Sequence, residues 1–422
     1  MNKKQRFETI AIHAGRSVDE TKSLATPVYR TSAYLFDSAE HGANLFSLKE
    51  LGNIYTRLTN PTTDVLEQRM AALEGGVAAV AVASGTSAIF YALINVAQKG
   101  DTIVSASNLY GGTYTMFNDI LPQFGITTRF ADYDKPEQFE AAIDATTRAI
   151  FIETIGNPSL GVPDFGAIAA VAKKHSIPLI VDNTFATPYL FRPLEHGANI
   201  VVHSLTKWIS GHGTAIGGIV VDGGNFDWKT EKFSLFNVPD ESYHGLRWAH
   251  DLGELPPFAL RLRLTPLRNL GAAIAPDNSW HILQGIETLA LRMQRHADNA
   301  LALARYLEKH ESIAWVKYPG LESSSSKATA DRYFEHGYGS VVVFGVKGGY
   351  EKAVSVIDTI ELISHVANLG DAKTLIIHPA STTHAQLTEE QQAAGGITQD
   401  LIRLSVGIEN IEDSQAVFDA VL

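Results

Sequence analysis

The chain has 422 residues, more than one ordinary hydrophobic core accommodates, so two domains are expected. Its net charge of −12, from 34 basic and 46 acidic residues, argues against nucleic acid or an anionic membrane as the main ligand. With no cysteine, disulfides, thiolate metal ligands and cysteine nucleophiles are excluded. No apolar run follows the basic start, and no stretch is apolar for the ~18 residues a membrane span needs, so the expectation is a cytoplasmic protein.

Residues 1–60 show no sustained period and read as an extended arm with short helices. Helical spacing begins at 64–73, with Asp64 the expected N-cap. Apolar strands then alternate with helical runs. The strands are expected at 78–83, 102–106, 126–130, 149–153, 179–181, 200–202 and 218–221, with helices such as 87–96 and 165–175 between them. Fully apolar strands spaced by helices predict a mostly parallel sheet covered on both faces. Residues 223–268 break the rhythm: Trp228, Phe233, Phe236, Tyr243 and Trp248 stand among polar residues and prolines. This stretch reads as a long, partly ordered excursion, more readily a packed surface segment than a substrate gate. One long helix over 276–309 then leads to strands at 340–346, 361–366, 375–378 and 402–406 and helices at 350–357 and 411–421. The expected organisation is an arm (1–60), an α/β domain (61–275) and a smaller C-terminal α+β domain (276–422).

The chemistry gathers where strands end. The apolar run 200–202 empties into Ser204, Thr206 and Lys207, and a glycine-rich turn follows. A lysine at the end of a buried strand is desolvated, which lowers its pKa and makes its amine a usable nucleophile or base. With two hydroxyls beside it to hold an anion, it suits a phosphate-bearing aldehyde, pyridoxal phosphate, bound as a Schiff base. The plainer reading is a solvated loop lysine. A rival is the Ser-x-x-Lys pattern of serine acyl-transferring enzymes, with Ser204 as nucleophile; these also need Lys-Thr-Gly, and neither Lys229-Thr230 nor Lys373-Thr374 is followed by glycine.

Asp182 ends the run 179–181 and could pair with a protonated pyridine nitrogen, or simply cap a turn. Ser84, Gly85 and Thr86 open a helix after another strand, where free N–H groups form an anion site; plain N-capping fits equally well. Tyr110 could stack on a cofactor ring and Asn157 could bond its phenolic oxygen, although each alone is an ordinary turn residue. Arg403, in the apolar segment 401–407, needs a bidentate anion if buried: a substrate carboxylate or a structural ion pair. His203, His378 and His384 lack metal spacing and read as structural.

Taken together, Tyr55-Thr-Arg57-Leu-Thr-Asn60-Pro61-Thr62, Ser84-Gly85, Tyr110-Gly-Gly-Thr113, Asn157-Pro158, Asp182-Asn-Thr-Phe185, Ser204-Leu-Thr-Lys207, His378-Pro-Ala-Ser381 and Arg403-Leu-Ser-Val-Gly-Ile-Glu409 resemble the cystathionine γ-synthase-type (Cys/Met metabolism) pyridoxal phosphate enzymes over nearly the whole chain. The resemblance is greatest to the O-acetylhomoserine sulfhydrylase branch, on the added length at 223–268, the segment Asn368-Leu-Gly-Asp-Ala-Lys373, and Gly112 where γ-lyases carry a cysteine. Thr86 departs from the glutamine common in that branch.

The resemblance implies fold type I of the pyridoxal phosphate enzymes, like aspartate aminotransferase. It implies that Lys207 links to the cofactor, Asp182 holds the ring nitrogen, Tyr110 stacks and Asn157 contacts the ring oxygen. Ser84, Gly85, Thr86, Ser204 and Thr206 would bind the phosphate. Tyr55 and Arg57 would reach the site of a neighbouring subunit, Tyr55 touching substrate there too, so a homo-oligomer, a dimer of dimers, is implied. Arg403, helped by Asn368, would bind the amino-acid carboxylate. The implied reaction is γ-replacement on O-acetylhomoserine by a sulfur nucleophile. Cystathionine γ-synthase and γ-lyase chemistry are the alternatives, and sulfide, a thiol and a sulfur-carrier protein all stand open as donor.

Overall fold

The computed structural model describes residues 5–422 apart from 17, 384, 386, 387, 389, 391 and 393–395. The main sheet comprises β1 (Ala78–Val82), β2 (Thr102–Ala106), β3 (Thr127–Ala131), β4 (Thr147–Glu153), β5 (Leu179–Asp182), β6 (Ile200–Ser204) and β7 (Gly218–Asp222). Their order is β1-β7-β6-β5-β4-β2-β3. β3, β2, β4, β5 and β6 are mutually parallel. β7 is antiparallel to both β6 and β1, so β1 runs with the parallel set. Every strand except β7 therefore ends at the same rim, where ligands of open α/β sheets bind. The central strands are apolar through their middles because helices cover both faces, as the fully buried Ile150, Ile180 and Val201 illustrate.

Several elements differ from expectation. The first long helix is Pro61–Glu74, and its cap is Asn60 rather than Asp64: Asn60 Oδ1 accepts from Thr62 N at 3.0 Å, and Pro61 supplies the fixed φ of the first helical position. The 276–309 run is two helices, Pro276–Glu287 and Leu289–Lys309, broken at Thr288 (φ −109°, ψ 11°). Residues 223–268 form a packed surface segment, mostly exposed or half-buried, whose aromatic side chains turn inward. Trp228, Phe233, Phe236, Trp248 and Phe258 are buried in the main core, Trp228 stacking on Phe236 and Phe258 with ring centroids 4.5 and 5.2 Å apart. Aromatics spaced without period pack by tertiary contact, which no periodicity test detects.

A second sheet holds β8 (Ile313–Lys317), β9 (Val341–Val346), β10 (Ser364–His365), β11 (Leu375–Ile377) and β12 (Leu401–Ser405) in the order β10-β11-β12-β9-β8. The strand expected over 361–366 shrinks to two residues because Leu362 takes φ +68° and breaks the extended run. β8 carries no alternation strong enough to read from sequence. The helices Gly349–Thr359 and Ile411–Val421 pack on this sheet around a core of its own that includes Phe344, Val356, Ile402 and Phe418.

Candidate active site at the carboxyl rim of the main sheet

Lys207 follows β6 in a turn, half-buried, with Nζ donating to Asn368 Oδ1 at 2.7 Å. Burial, with the nearby Arg403 guanidinium adding to it, lowers its ammonium to about 8. The amine is thus held where it can be uncharged near neutral pH.

One strand away, Asp182 ends β5. Its Oδ1 accepts from Thr184 N (2.9 Å) and Thr184 Oγ1 (2.5 Å), and among the described residues nothing donates to Oδ2. Burial pushes its carboxyl up, while the Thr184 bonds and His203 behind it pull it down. Thr184 Oγ1 also accepts from Ser204 N at 2.8 Å, so one hydroxyl ties the ends of β5 and β6 together. Beneath them, buried Glu74 Oε1 meets His203 Nε2 at 2.5 Å and Asn183 Nδ2 at 2.9 Å.

At the end of β1, Ser84 caps the helix Gly85–Ile94 by accepting from Ser87 N at 3.1 Å. The amides of Gly85 and Thr86 have no partner among the described residues and stand free at the helix terminus. A Cβ on Gly85 would lie 2.6 Å from Ser204 Cβ, so this terminus abuts the Ser204 side of the rim. The Thr86 side chain is exposed. Thr206 faces Gly217 instead: its Oγ1 accepts from Gly217 N at 3.1 Å and lies 3.2 Å from Gly217 O. Its hydroxyl must turn to reach an anion.

Arg403, in β12, is buried and has no ion-pair partner among the described residues. It donates to Asn157 Oδ1 at 3.3 Å, which leaves the Asn157 amide nitrogen as a free donor. Tyr110 is 52% exposed, so its ring is available to a ligand, and it folds back over Gly112, where a Cβ would lie 2.6 Å from its Cε1. Its amide donates to Glu153 Oε1 at 2.7 Å.

Lys207, Asp182, Ser204, Ser84, Gly85, Asn157 and Tyr110 thus share one rim, and Arg403 and Asn368, from outside the main sheet, meet it at Asn157 and Lys207. The Arg57 guanidinium sits 5.2 Å from the Tyr55 ring centroid, and neither residue makes an ion pair with the cluster among the described residues. His203 and His378 are buried in internal hydrogen bonds, and His384 lies outside the described residues. Sequence reading missed Glu153 and Thr184. For Thr184 a signal existed, since Asp-x-Thr after a strand is an Asx-turn pattern; Glu153 read as the last residue of a strand.

These residues fit pyridoxal phosphate. A desolvated amine would meet the aldehyde, the unengaged Asp182 Oδ2 would meet the ring nitrogen, a helix terminus and Ser204 would offer N–H and O–H donors to the phosphate, and the Asn157 amide would offer one to the ring oxygen. The fold and the rim together define a fold type I α/β enzyme that uses pyridoxal phosphate. The chain belongs to the Cys/Met metabolism PLP-dependent enzyme family, whose profile matches residues 8–422. It is 54% identical to an O-acetyl-L-homoserine sulfhydrylase of Leptospira meyeri over 96% of this chain and 94% of that one. It is 52% identical to a homocysteine synthase of Schizosaccharomyces pombe over 99% and 98% of the two chains. A crystal structure named for an O-acetylhomoserine (thiol)-lyase of Campylobacter jejuni, containing a pyridoxyl-lysine phosphate, superposes with a TM-score of 0.95 at 44% identity, covering 99% of this chain and all of that one.

Proposed function

We propose that this enzyme exchanges the acetate of O-acetyl-L-homoserine for a sulfur nucleophile, giving L-homocysteine. The observation that carries the reading is the buried, unpaired Arg403 beside Asn157 on the rim that also bears Lys207. An amino-acid carboxylate supplies the anion this guanidinium lacks. The relatives named for O-acetylhomoserine sulfhydrylase activity, alike over nearly the whole chain, support the choice of substrate.

Bound pyridoxal phosphate supplies an electron sink that makes the protons on the substrate's α- and β-carbons removable. Lys207 Nζ would take the α-proton and deliver protons later. Asp182 Oδ2 accepts from the ring N–H and keeps that nitrogen protonated. Gly85, Thr86 and Ser204 hold the phosphate, with Ser84 and Thr206 beside them, and Tyr110 covers the ring. Arg403, with Asn368, orients the substrate so that its γ-carbon faces the incoming sulfur. The C–O bond to acetate breaks and a C–S bond forms.

Tyr55 and Arg57 complete a neighbouring subunit's site in this reading, so the working unit is a homo-oligomer. Apolar side chains left open on the arm support this, Leu24 at 80% and Leu35 at 97% exposure. Among the described residues no helix is long and apolar enough to cross a membrane, and we place the enzyme in the cytoplasm.

The test is turnover of O-acetyl- and O-succinylhomoserine with sulfide, methanethiol, cysteine, a carrier-protein thiocarboxylate or no acceptor. Homocysteine and acetate from the acetyl ester with sulfide or the thiocarboxylate is the expected result. Efficient turnover without acceptor would mark a γ-lyase, and preferred cystathionine formation from cysteine a cystathionine synthase; either overturns the proposal.

A further inference from the structure

The turn that carries Lys207 has few holds of its own. Gly211 N donates to Lys207 O at 2.8 Å and Ser210 N to Leu205 O at 3.0 Å. Two of its buried side-chain polar atoms, Trp208 Nε1 and Ser210 Oγ, have no partner among the described residues. The Trp208 and Ile209 carbonyls point into the protein, and among the described residues only one side chain reaches them. Arg292 Nη1 donates to Trp208 O at 2.6 Å and Nη2 to Ile209 O at 3.2 Å. The same guanidinium donates to Gly285 O at 2.6 Å and to Thr288 Oγ1 at 3.2 Å. Arg292 is 5% exposed and has no ion-pair partner among the described residues.

A guanidinium buried without a counter-ion is expensive unless its donors are satisfied and its position does something. Here it bridges two pieces of structure: the turn after β6, and the break at Thr288 between the helices Pro276–Glu287 and Leu289–Lys309. The contact is close on both sides. A Cβ on Gly285 would stand 2.2 Å from Ser210 O, and one on Gly211 would stand 2.1 Å from Arg292 Nη1. Both glycines are therefore required for the clasp to form. Carbonyls gathered at the end of a helical turn carry partial negative charge, which is what a cation in that place satisfies.

We infer that Arg292 is a positioning residue for Lys207: it clasps the lysine-bearing turn to the helix break and thereby fixes where Nζ stands relative to the cofactor. The inference rests on Lys207 being the cofactor lysine. A displacement of about 1 Å at a reacting group costs on the order of 100-fold in rate, so the clasp need move little to matter.

The experiment compares Arg292→Met and Arg292→Lys with the parent holoenzyme. Its readouts are the pH midpoint of the bound-cofactor absorbance, the rate at which the apo-protein captures added pyridoxal phosphate as a borohydride-trapped lysine adduct, and kcat and KM. Expected for Arg292→Met is capture slowed and kcat lowered by about 30-fold or more with KM within about two-fold, and a shifted pH midpoint. Arg292→Lys, which keeps a cation for one carbonyl, recovers part of each. Should Arg292→Met not fold, Gly285→Ala, which pushes on the same turn from the helix side, must show the same shift of midpoint and capture rate. Unshifted midpoint and capture rate in a folded variant, or losses that merely follow the unfolded fraction without recovery by lysine, overturn the inference alone. An adduct mapped to a lysine other than Lys207 in the parent overturns the cofactor assignment and the inference with it.

Discussion

Glu153 and Asp182 are register partners at the carboxyl ends of β4 and β5, a buried and a half-buried carboxyl group on adjacent strands of one rim. Burial, and then the Asp182 carboxylate, raises the Glu153 carboxyl well above the usual range, while the Tyr110 and Asn157 main chain partly offsets this. Two such neighbours do not both ionise readily, and the one with Thr184 bonds and His203 behind it, Asp182, is the better anion. Glu153 then serves as a neutral acceptor that holds the Tyr110 amide at 2.7 Å.

Replacing Glu153 by Gln should therefore leave cofactor binding nearly intact, since Gln keeps an acceptor oxygen, whereas Glu153→Ala strands the Tyr110 amide and costs about 1–3 kcal/mol. The pH dependence follows from the raised value. A carboxyl whose folded pKa exceeds its unfolded one stabilises the fold below the unfolded value of 4.5, and that stabilisation is lost as pH rises toward the folded value. Urea unfolding of the apo-protein across pH should show Glu153→Gln flattening this decline. Superimposable parent and variant curves would count against a neutral Glu153.

The lysine gives a second pH prediction. With its ammonium at about 8, about a quarter of Lys207 is uncharged at pH 7.5, against about one part in a thousand for an unshifted lysine. The uncharged amine is the nucleophile, so capture of added pyridoxal phosphate by the apo-protein should accelerate as pH rises through about 8 and then level off. Arg403→Met removes a contributing cation and should move the midpoint upward. A parent rate still climbing at pH 10 would contradict the desolvated lysine.

How much of this was legible in the sequence depends on the range of the interaction. Strands such as β2 and the residues beyond β5 and β6 were readable, because apolar runs mark buried strands and the chemistry sits immediately after them. Asn60 as cap was missed, since periodicity locates a helix interior better than its first turn. The Thr288 break, the packing of Trp228 and Trp248, and the roles of Glu153 and Arg292 depend on partners far away in sequence. Gln, Glu or Arg at a strand end or on a helix face carries no local mark of what it will meet.

Gly112 offers a steric test. A Cβ there would lie 2.6 Å from Tyr110 Cε1 and 3.1 Å from Cζ, so Gly112→Ala must push the ring from its position. Stacking by an aromatic ring is worth about 0.5–1.5 kcal/mol, so the dissociation constant of pyridoxal phosphate should rise about two- to thirteen-fold, with a changed absorbance band. Unchanged affinity and spectrum in Gly112→Ala would mean the ring does not lie against the cofactor.

The arm is tested by complementation. The Arg57 guanidinium lies over the Tyr55 ring of its own chain, and in our reading the two residues complete the site of a second copy. Lys207→Ala and Arg57→Ala should then each be nearly inactive alone, the first for lack of the amine and the second for lack of a phosphate ligand. In a mixed dimer, the site that takes Lys207 from the Arg57→Ala chain receives Arg57 from the Lys207→Ala chain and is intact, while its twin carries both defects. Random pairing makes about half the dimers mixed with one good site in each, so co-expression should restore about a quarter of parent activity by the symmetry of a two-fold interface. Activity no greater than that of the separate variants would place Arg57 in its own chain's site and remove the argument for a shared one.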